Sequence, residues 1–222
     1  MSKKASGITV LFFAFCISNA QTNDAGLWLR ASVEKKINLQ MSLQLSQGLR
    51  MYENLTEVGQ TFTELGFSYL IKKGFTASVM YRFSQSKQMD NSYSLRHRAA
   101  IDLAYKYKYK RAIFIIRERV QIQYRNVGTS ETGNVPRIYA RTKFTFKYDL
   151  KKKITPYVAI EMYNPLNNPK RMWIDKLRYR AGLEYDVNKH HSLDFYGLID
   201  QQLYRKNSRT DFVGGIGYKY SF

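Results

Sequence analysis

The chain has 222 residues, a formal net charge of +19, one cysteine and 15% aromatic residues, with 18 Tyr against 13 Phe and 2 Trp. A lone thiol excludes an internal disulfide and a cysteine-built metal site. After position 20 no apolar run approaches the roughly 18 residues of a membrane-spanning helix, which excludes a helical membrane protein.

The first element is a leader. Lys3 and Lys4 form a positive start, Ile8 to Ile17 a short apolar stretch, and Ser18-Asn19-Ala20 places small residues before a cleavage point. This pattern predicts a secretory signal peptide over residues 1–20, removed together with Cys16, and a single mature domain over 21–222. Strong basicity ordinarily suggests nucleic acid. Export removes that partner and leaves lipopolysaccharide as the polyanion at hand.

Period-two alternation then dominates, which predicts strands with two unlike faces. Leu27 to Val33, with Trp28, reads as a short strand or a rim extension. Ile37 to Ser46 is apolar at every odd position. Gln60 to Ile71 sets Leu65, Phe67, Tyr69 and Ile71 against Gln60, Glu64, Gly66 and Ser68, with Phe62 and Leu70 breaking the pattern. After Lys72-Lys73-Gly74, the run Phe75, Ala77, Val79, Tyr81, Phe83 opposes Thr76, Ser78, Arg82, Ser84. From Ser92 to Tyr107, Ala99, Ile101, Leu103 and Tyr105 oppose Arg96, Arg98, Asp102 and Lys106. From Ala112 to Arg125, Phe114, Ile116, Val120 and Ile122 oppose Arg117, Arg119, Gln121 and Gln123. Glu118 falls on the apolar side, where a bulge or a neighbouring arginine would resolve the conflict.

The later strands repeat the theme. Ile138, Ala140, Phe144 and Phe146 oppose Arg137, Arg141, Lys143 and Lys147. Ile154, Val158, Ile160 and Met162 oppose Thr155, Tyr157 and Glu161. Leu177, Tyr179, Ala181 and Leu183 oppose Arg178, Arg180, Gly182 and Glu184. Leu193, Phe195 and Ile199 oppose Asp194, Asp200 and Gln202. The last segment sets Phe212, Ile216, Tyr218, Tyr220 and Phe222 against Val213, Gly215, Gly217, Lys219 and Ser221.

Runs of about 12–14 residues rise about 40–45 Å, enough to cross a membrane at a tilt near 45°. Short connections near 72–74, 108–111, 150–153 and 188–190 alternate with longer ones near 87–91, 127–136, 165–172 and 206–211, as periplasmic turns alternate with outer loops. Tyr105, Tyr107, Tyr148, Tyr185, Tyr218, Tyr220 and Phe222 then gather at the short-turn end, and Tyr81, Phe83 and Tyr124 at the other. Amphipathic rings prefer such boundaries. The expected fold is all-β: a transmembrane antiparallel up-and-down barrel of about ten strands, with twelve as the alternative. A soluble eight-stranded ligand carrier is the competing fold.

The early Trp28, the arginine-bearing strands and the terminal Tyr220-x-Phe222 resemble a family of uncharacterised outer-membrane β-barrels of Gram-negative bacteria, a domain of unknown function. The resemblance spans the whole mature chain. It implies residence in the bacterial outer membrane and supplies no catalytic residues. Tyr218, Tyr220 and Phe222 resemble the terminal signal read by the barrel-assembly machinery, which implies that machinery as a transient partner.

The polar faces carry Glu64, Arg82, Arg96, Arg98, Asp102, Arg117, Arg119, Arg137, Arg141, Glu161, Arg178, Arg180, Glu184, Asp194 and Asp200, which a narrow barrel would point inward. Two readings follow. The charges interlock as ion pairs that fill the lumen of a structural envelope barrel, because arginine binds carboxylates at two points. Alternatively they form an anion-preferring constriction. A third reading, a lipid-modifying hydrolase, draws on His190-His191-Ser192 with Asp194, which resembles the His-x-Ser arrangement of lipid A deacylases, whereas His97 with Asp90 resembles the acid and histidine at the rim of barrel proteases, without a second acid pair. The turn position of the first set makes a solvated loop the simpler account. The sequence suggests no cofactor and no metal-spaced cluster. Outer-membrane lipids and lipopolysaccharide are the expected partners.

Overall fold

A computed structural model describes residues 22–88, 90–125, 136–168, 173–203 and 209–222. The leader at 1–20 and much of the longer connections at 127–136, 165–172 and 206–211 lie outside them. Eleven strands form one closed barrel: β1 (Thr22–Lys36), β2 (Met41–Tyr52), β3 (Glu57–Lys72), β4 (Phe75–Lys87), β5 (Tyr93–Tyr109), β6 (Ala112–Arg125), β7 (Arg137–Tyr148), β8 (Ile154–Pro165), β9 (Lys176–Asp186), β10 (His191–Gln202) and β11 (Arg209–Ser221). Each strand pairs antiparallel with the next. β1 and β11 close the ring in parallel, from Thr22 beside Arg209 to Glu34 beside Ser221. An odd number of alternating strands leaves the first and last running the same way, so parallel closure follows from the count.

The count is one above the ten expected, and the extra strand is the Trp28 segment. It is a full strand of 15 residues. The alternation read from Ile37 also ran too far. Residues 37–40 are the β1–β2 turn, where the Asn38 side chain accepts from the backbone N–H groups of Gln40 and Met41 at 2.8 and 2.7 Å. An Asx turn of this kind overrides the apolar spacing of Ile37 and Leu39. The β3–β4 hairpin turns on Gly74, whose φ of 84° suits a residue without a β-carbon.

The faces are inverted relative to a water-soluble core. Outward aliphatic residues are open, with Ile101 61% exposed, whereas Ser46 and Ser94 inside are 1% exposed. The buried set is mostly Ser, Gln, Arg, Asp and Glu. An outer band of that composition suits lipid rather than water. Phe62 breaks the sequence pattern because it points inward, buried beneath Arg82. Glu118 points outward in continuous register between Leu103 and Thr142, with no bulge. Its partner is the Thr142 hydroxyl, which donates at 2.9 Å, and not an arginine.

Candidate functional site: the charged lumen

The barrel interior is where the strands bring chemistry together. Inward positions repeat every second residue on each strand, so the stagger between strands stacks charged side chains into connected rows. Glu64 on β3 accepts from Arg30 of β1 at 2.6 Å and from Arg82 of β4 at 2.8 Å. Asp102 on β5 accepts from Nε and Nη2 along one edge of Arg119, at 2.6 and 2.7 Å. Glu161 on β8 receives Arg117 at 2.6 Å and Arg141 at 2.8 Å. Arg141 also reaches Gln121 and the Tyr163 hydroxyl, each at 2.8 Å. Asp200 binds Arg178 at 2.7 Å and Lys176 at 3.2 Å. Asp194 holds Arg180 at 2.6 Å and accepts from the Tyr157 hydroxyl at 2.8 Å. Glu184 pairs with Lys147 at 2.5 Å.

All fifteen residues expected in the lumen lie on the inner face. The structure adds members the sequence reading left out: Arg30 and Trp28, because β1 was read as marginal; Arg50, because β2 runs six residues beyond Ser46; and Lys176. Lys143 and Lys147, read on the polar face but not counted among the lumen charges, join them. Strict alternation extended along β1 and β2 would have found the first three. The aromatic members were harder to see. Arg50 lies over the Trp28 ring at 3.9 Å, Arg82 over Phe62 at 4.0 Å, Arg141 over Tyr163 at 4.3 Å and Arg180 over Tyr196 at 3.5 Å. Stacking of this type steadies a guanidinium by about 0.5–2 kcal/mol.

The described residues line two chambers in the lumen. One, of about 610 Å³, reaches the long-loop rim at Tyr52, Arg137, Lys176 and Gln202. Thirteen Arg or Lys side chains line it, against four acids, Glu64, Glu161, Asp175 and Asp194. The other, of about 260 Å³, lies deeper, among Gln44, Ser46, Ser68, Ser78 and Asp102. Arg30, Glu64, Arg117 and Arg119 border both.

The histidine motifs do not assemble. His191 bonds the Tyr218 hydroxyl at 2.7 Å on the outer face, and His190 Nδ1 donates to the Ser221 carbonyl at 2.7 Å. Asp194 points the other way, onto Arg180 and Tyr157. His97 bonds Tyr81 at 2.6 Å, whereas Asp90 accepts from Ser92. The terminal aromatics seal the seam: Phe222 exchanges backbone hydrogen bonds with Lys36 and Glu34 at 3.1 and 3.0 Å, and its ring stays half open beside Tyr220.

Outside the wall, Asp149 in the β7–β8 turn accepts from Lys108 at 2.9 Å and from the Lys151 amide at 2.8 Å. These bonds, the Lys108 contact first, hold its carboxyl below the ordinary aspartate range.

Long closed strands, an apolar exterior and a charged interior define the class: a β-barrel of the outer-membrane type. The β domain of the Bordetella autotransporter Brka has a similar fold, with a TM-score of 0.52 at 11% identity over 82% of each chain. Residues 25–211 match the family DUF2490, described as a protein of unknown function, and the chain belongs to that family. No curated protein matches the sequence.

Proposed function

We propose that this chain is a bacterial outer-membrane barrel, exported by the leader at residues 1–20, whose lumen is shut at mid-depth by ion pairs and whose role is structural, in the maintenance of the envelope. The observation that carries this reading is the border between the two chambers. Arg30 is tied to Glu64, Arg117 to Glu161 and Arg119 to Asp102, each at 2.6 Å. Arg119 binds Asp102 at two points, which fixes geometry as well as charge. Removing one member of a buried pair costs about 3–5 kcal/mol, so the border resists opening. On this reading lipid covers the outer band, lipopolysaccharide meets the long-loop rim, and the assembly machinery reads Tyr218, Tyr220 and Phe222. The reading calls on no catalytic group and no cofactor.

In planar bilayers the wild-type barrel is expected to carry no steady current, and Arg117→Ala with Arg119→Ala to open one. Sustained anion-selective conductance by the wild type would overturn the closed lumen. It would favour a second reading, a small anion-preferring channel, which rests on the thirteen-to-four excess of basic side chains around the larger chamber.

A further inference from the structure

The basic excess in the rim chamber is concentrated and not spread. Pairing registers set Arg82 beside Arg98, Arg117 beside Lys143 and Arg119 beside Arg141, all lining the chamber, and Arg96 of the lining beside Arg125. Like charges placed directly across two strands are destabilising. An interior serving only to fill space would alternate sign, as the Glu64–Arg82 and Asp102–Arg119 neighbours do.

The side chains nearest the rim are the least neutralised. Among the described residues no carboxylate pairs with Arg50, Arg96, Arg98, Arg125 or Arg137. Arg50 and Arg98 bond only neutral amides, Gln60 at 3.0 Å and Gln123 at 2.9 Å. The Nε–H groups of Arg96 and Arg125 and the Trp28 indole N–H are buried without a partner. Unmet donors outnumber unmet acceptors along this chamber, where Asp175 Oδ1 is the unmet acceptor among the described residues. The Trp28 ring holds Arg50 flat, which keeps the in-plane N–H groups not used on Gln60 available to an acceptor. A volume of about 610 Å³ falls within the roughly 300–1,000 Å³ of small-ligand sites.

We infer that the rim chamber binds a ligand carrying two or more closely spaced phosphate groups, held by Arg50, Arg96, Arg98 and Arg137. Arg98 beside Arg82 and Arg96 beside Arg125 call for an anion that accepts from two guanidiniums at once, as phosphate does, because Arg96, Arg98 and Arg125 pair with no carboxylate among the described residues. Arg96 and Arg98 stand two residues apart on β5, about 7 Å, so neighbouring phosphates on one molecule can bridge successive pairs. A singly charged ion offsets only one member of so large an excess. The inference rests on the reading of the chain as a barrel closed at mid-depth, with the chamber facing the long-loop side. The phosphates come either from the phosphorylated saccharide of lipopolysaccharide or from a free polyphosphorylated solute.

Calorimetric titration of the full barrel in detergent with tripolyphosphate is the test. Saturable binding is expected, at least tenfold weaker to orthophosphate and at least tenfold weaker in Arg96→Gln with Arg98→Gln, but unchanged in Lys152→Gln at the opposite end. Equal affinity in wild type and the double variant, or no binding, overturns the site. Should the double variant lose its heat-modifiable migration, phenylglyoxal labelling of the wild type supplies the same decision. Tripolyphosphate must protect Arg96, Arg98 and Arg137, and undiminished labelling overturns the site. Native lipopolysaccharide competing where its dephosphorylated form does not assigns the lipid source. Tripolyphosphate binding without such competition assigns the free solute. Conductance measured on the same sample keeps the two readings apart: current alongside saturable binding retires the closed lumen and leaves the site standing, whereas silence without binding does the reverse.

Discussion

The two halves of the barrel wall solve the same problem differently. The wall made by β10, β11, β1, β2 and β3 fills its share of the lumen with rings laid over glycines and with the cluster of Trp28, Leu198 and Val213, against which Tyr196 packs. A β-carbon added at Gly48 would sit 2.1 Å from the Phe62 ring, and one at Gly215 would sit 2.0 Å from the Tyr196 ring. The wall from β4 to β9 fills its share with arginine and lysine, crossed by Asp102, Glu161 and Glu184. Shape complementarity dominates the first wall, which adds the Arg30–Glu64 pair and lends Asp194 and Asp200 to its neighbour, and charge dominates the second. Packing contacts need no counter-charge. An ionic wall keeps whatever excess its acids do not cancel, so the interior is polarised across its width as well as along its depth.

That contrast predicts where substitutions hurt. Glu161→Ala strips Arg117, Arg141 and Arg178 of a shared partner and should cost about 3–5 kcal/mol in urea unfolding from detergent. A loss below about 1 kcal/mol would mean that the ionic wall is replaceable filler. Gly48→Val attacks the other wall by overpacking and should cost about 1–3 kcal/mol. Partial recovery with Phe62→Leu would show that the ring, rather than the backbone, is the obstacle. Glu118→Leu, on the outer face of β6, should instead gain on the order of 1 kcal/mol, because a carboxylate facing hydrocarbon near mid-strand is costly. Destabilisation there would show that the Thr142 hydrogen bond outweighs the cost of the outward carboxylate.

The smallest effect is expected outside both walls. The folded pKa of Asp149 is depressed, so its contribution is complete above the ordinary aspartate pKa. It fades as pH falls through the lower folded value. Protection of the Lys151 amide from hydrogen exchange, relative to its intrinsic rate, should fall over that acidic window in wild type and be absent at every pH in Asp149→Ala, which has no side-chain acceptor. A flat profile in the wild type would show that the turn does not depend on the carboxylate.

The two walls also differ in how readable they were. The basic wall was legible residue by residue, because alternation assigns a face and Arg117, Arg119, Arg141 and Arg178 sit cleanly on it. The packed wall was not. Phe62 looked like an error in a strand pattern, since apolar character usually marks the outside of such a barrel. Only the opposing Gly48 explains its inward turn, and cross-strand neighbours are invisible until the register is known. β1 was undervalued for a related reason: Trp28, Arg30 and Ser32 all point inward, leaving a modest outer stripe of Leu27, Leu29, Ala31 and Val33. Ion-pair partners were unreadable on principle. Arg117 could have chosen among several acids, and the stagger between strands decided in favour of Glu161 over the nearer strand's Asp102, which lies 3.9 Å away.

Parallel closure has a consequence for manufacture. Ten of the junctions around the ring are antiparallel neighbours joined by a connection, so each can zip as the polypeptide is threaded. The β1–β11 junction joins segments nearly two hundred residues apart through slanted hydrogen bonds of slightly lower strength. It must therefore form last and is the cheapest line along which the cylinder could unbutton. Because both segments travel in one direction, anything fused ahead of Thr22 meets the molecule at the long-loop mouth, and anything fused after Phe222 at the opposite one.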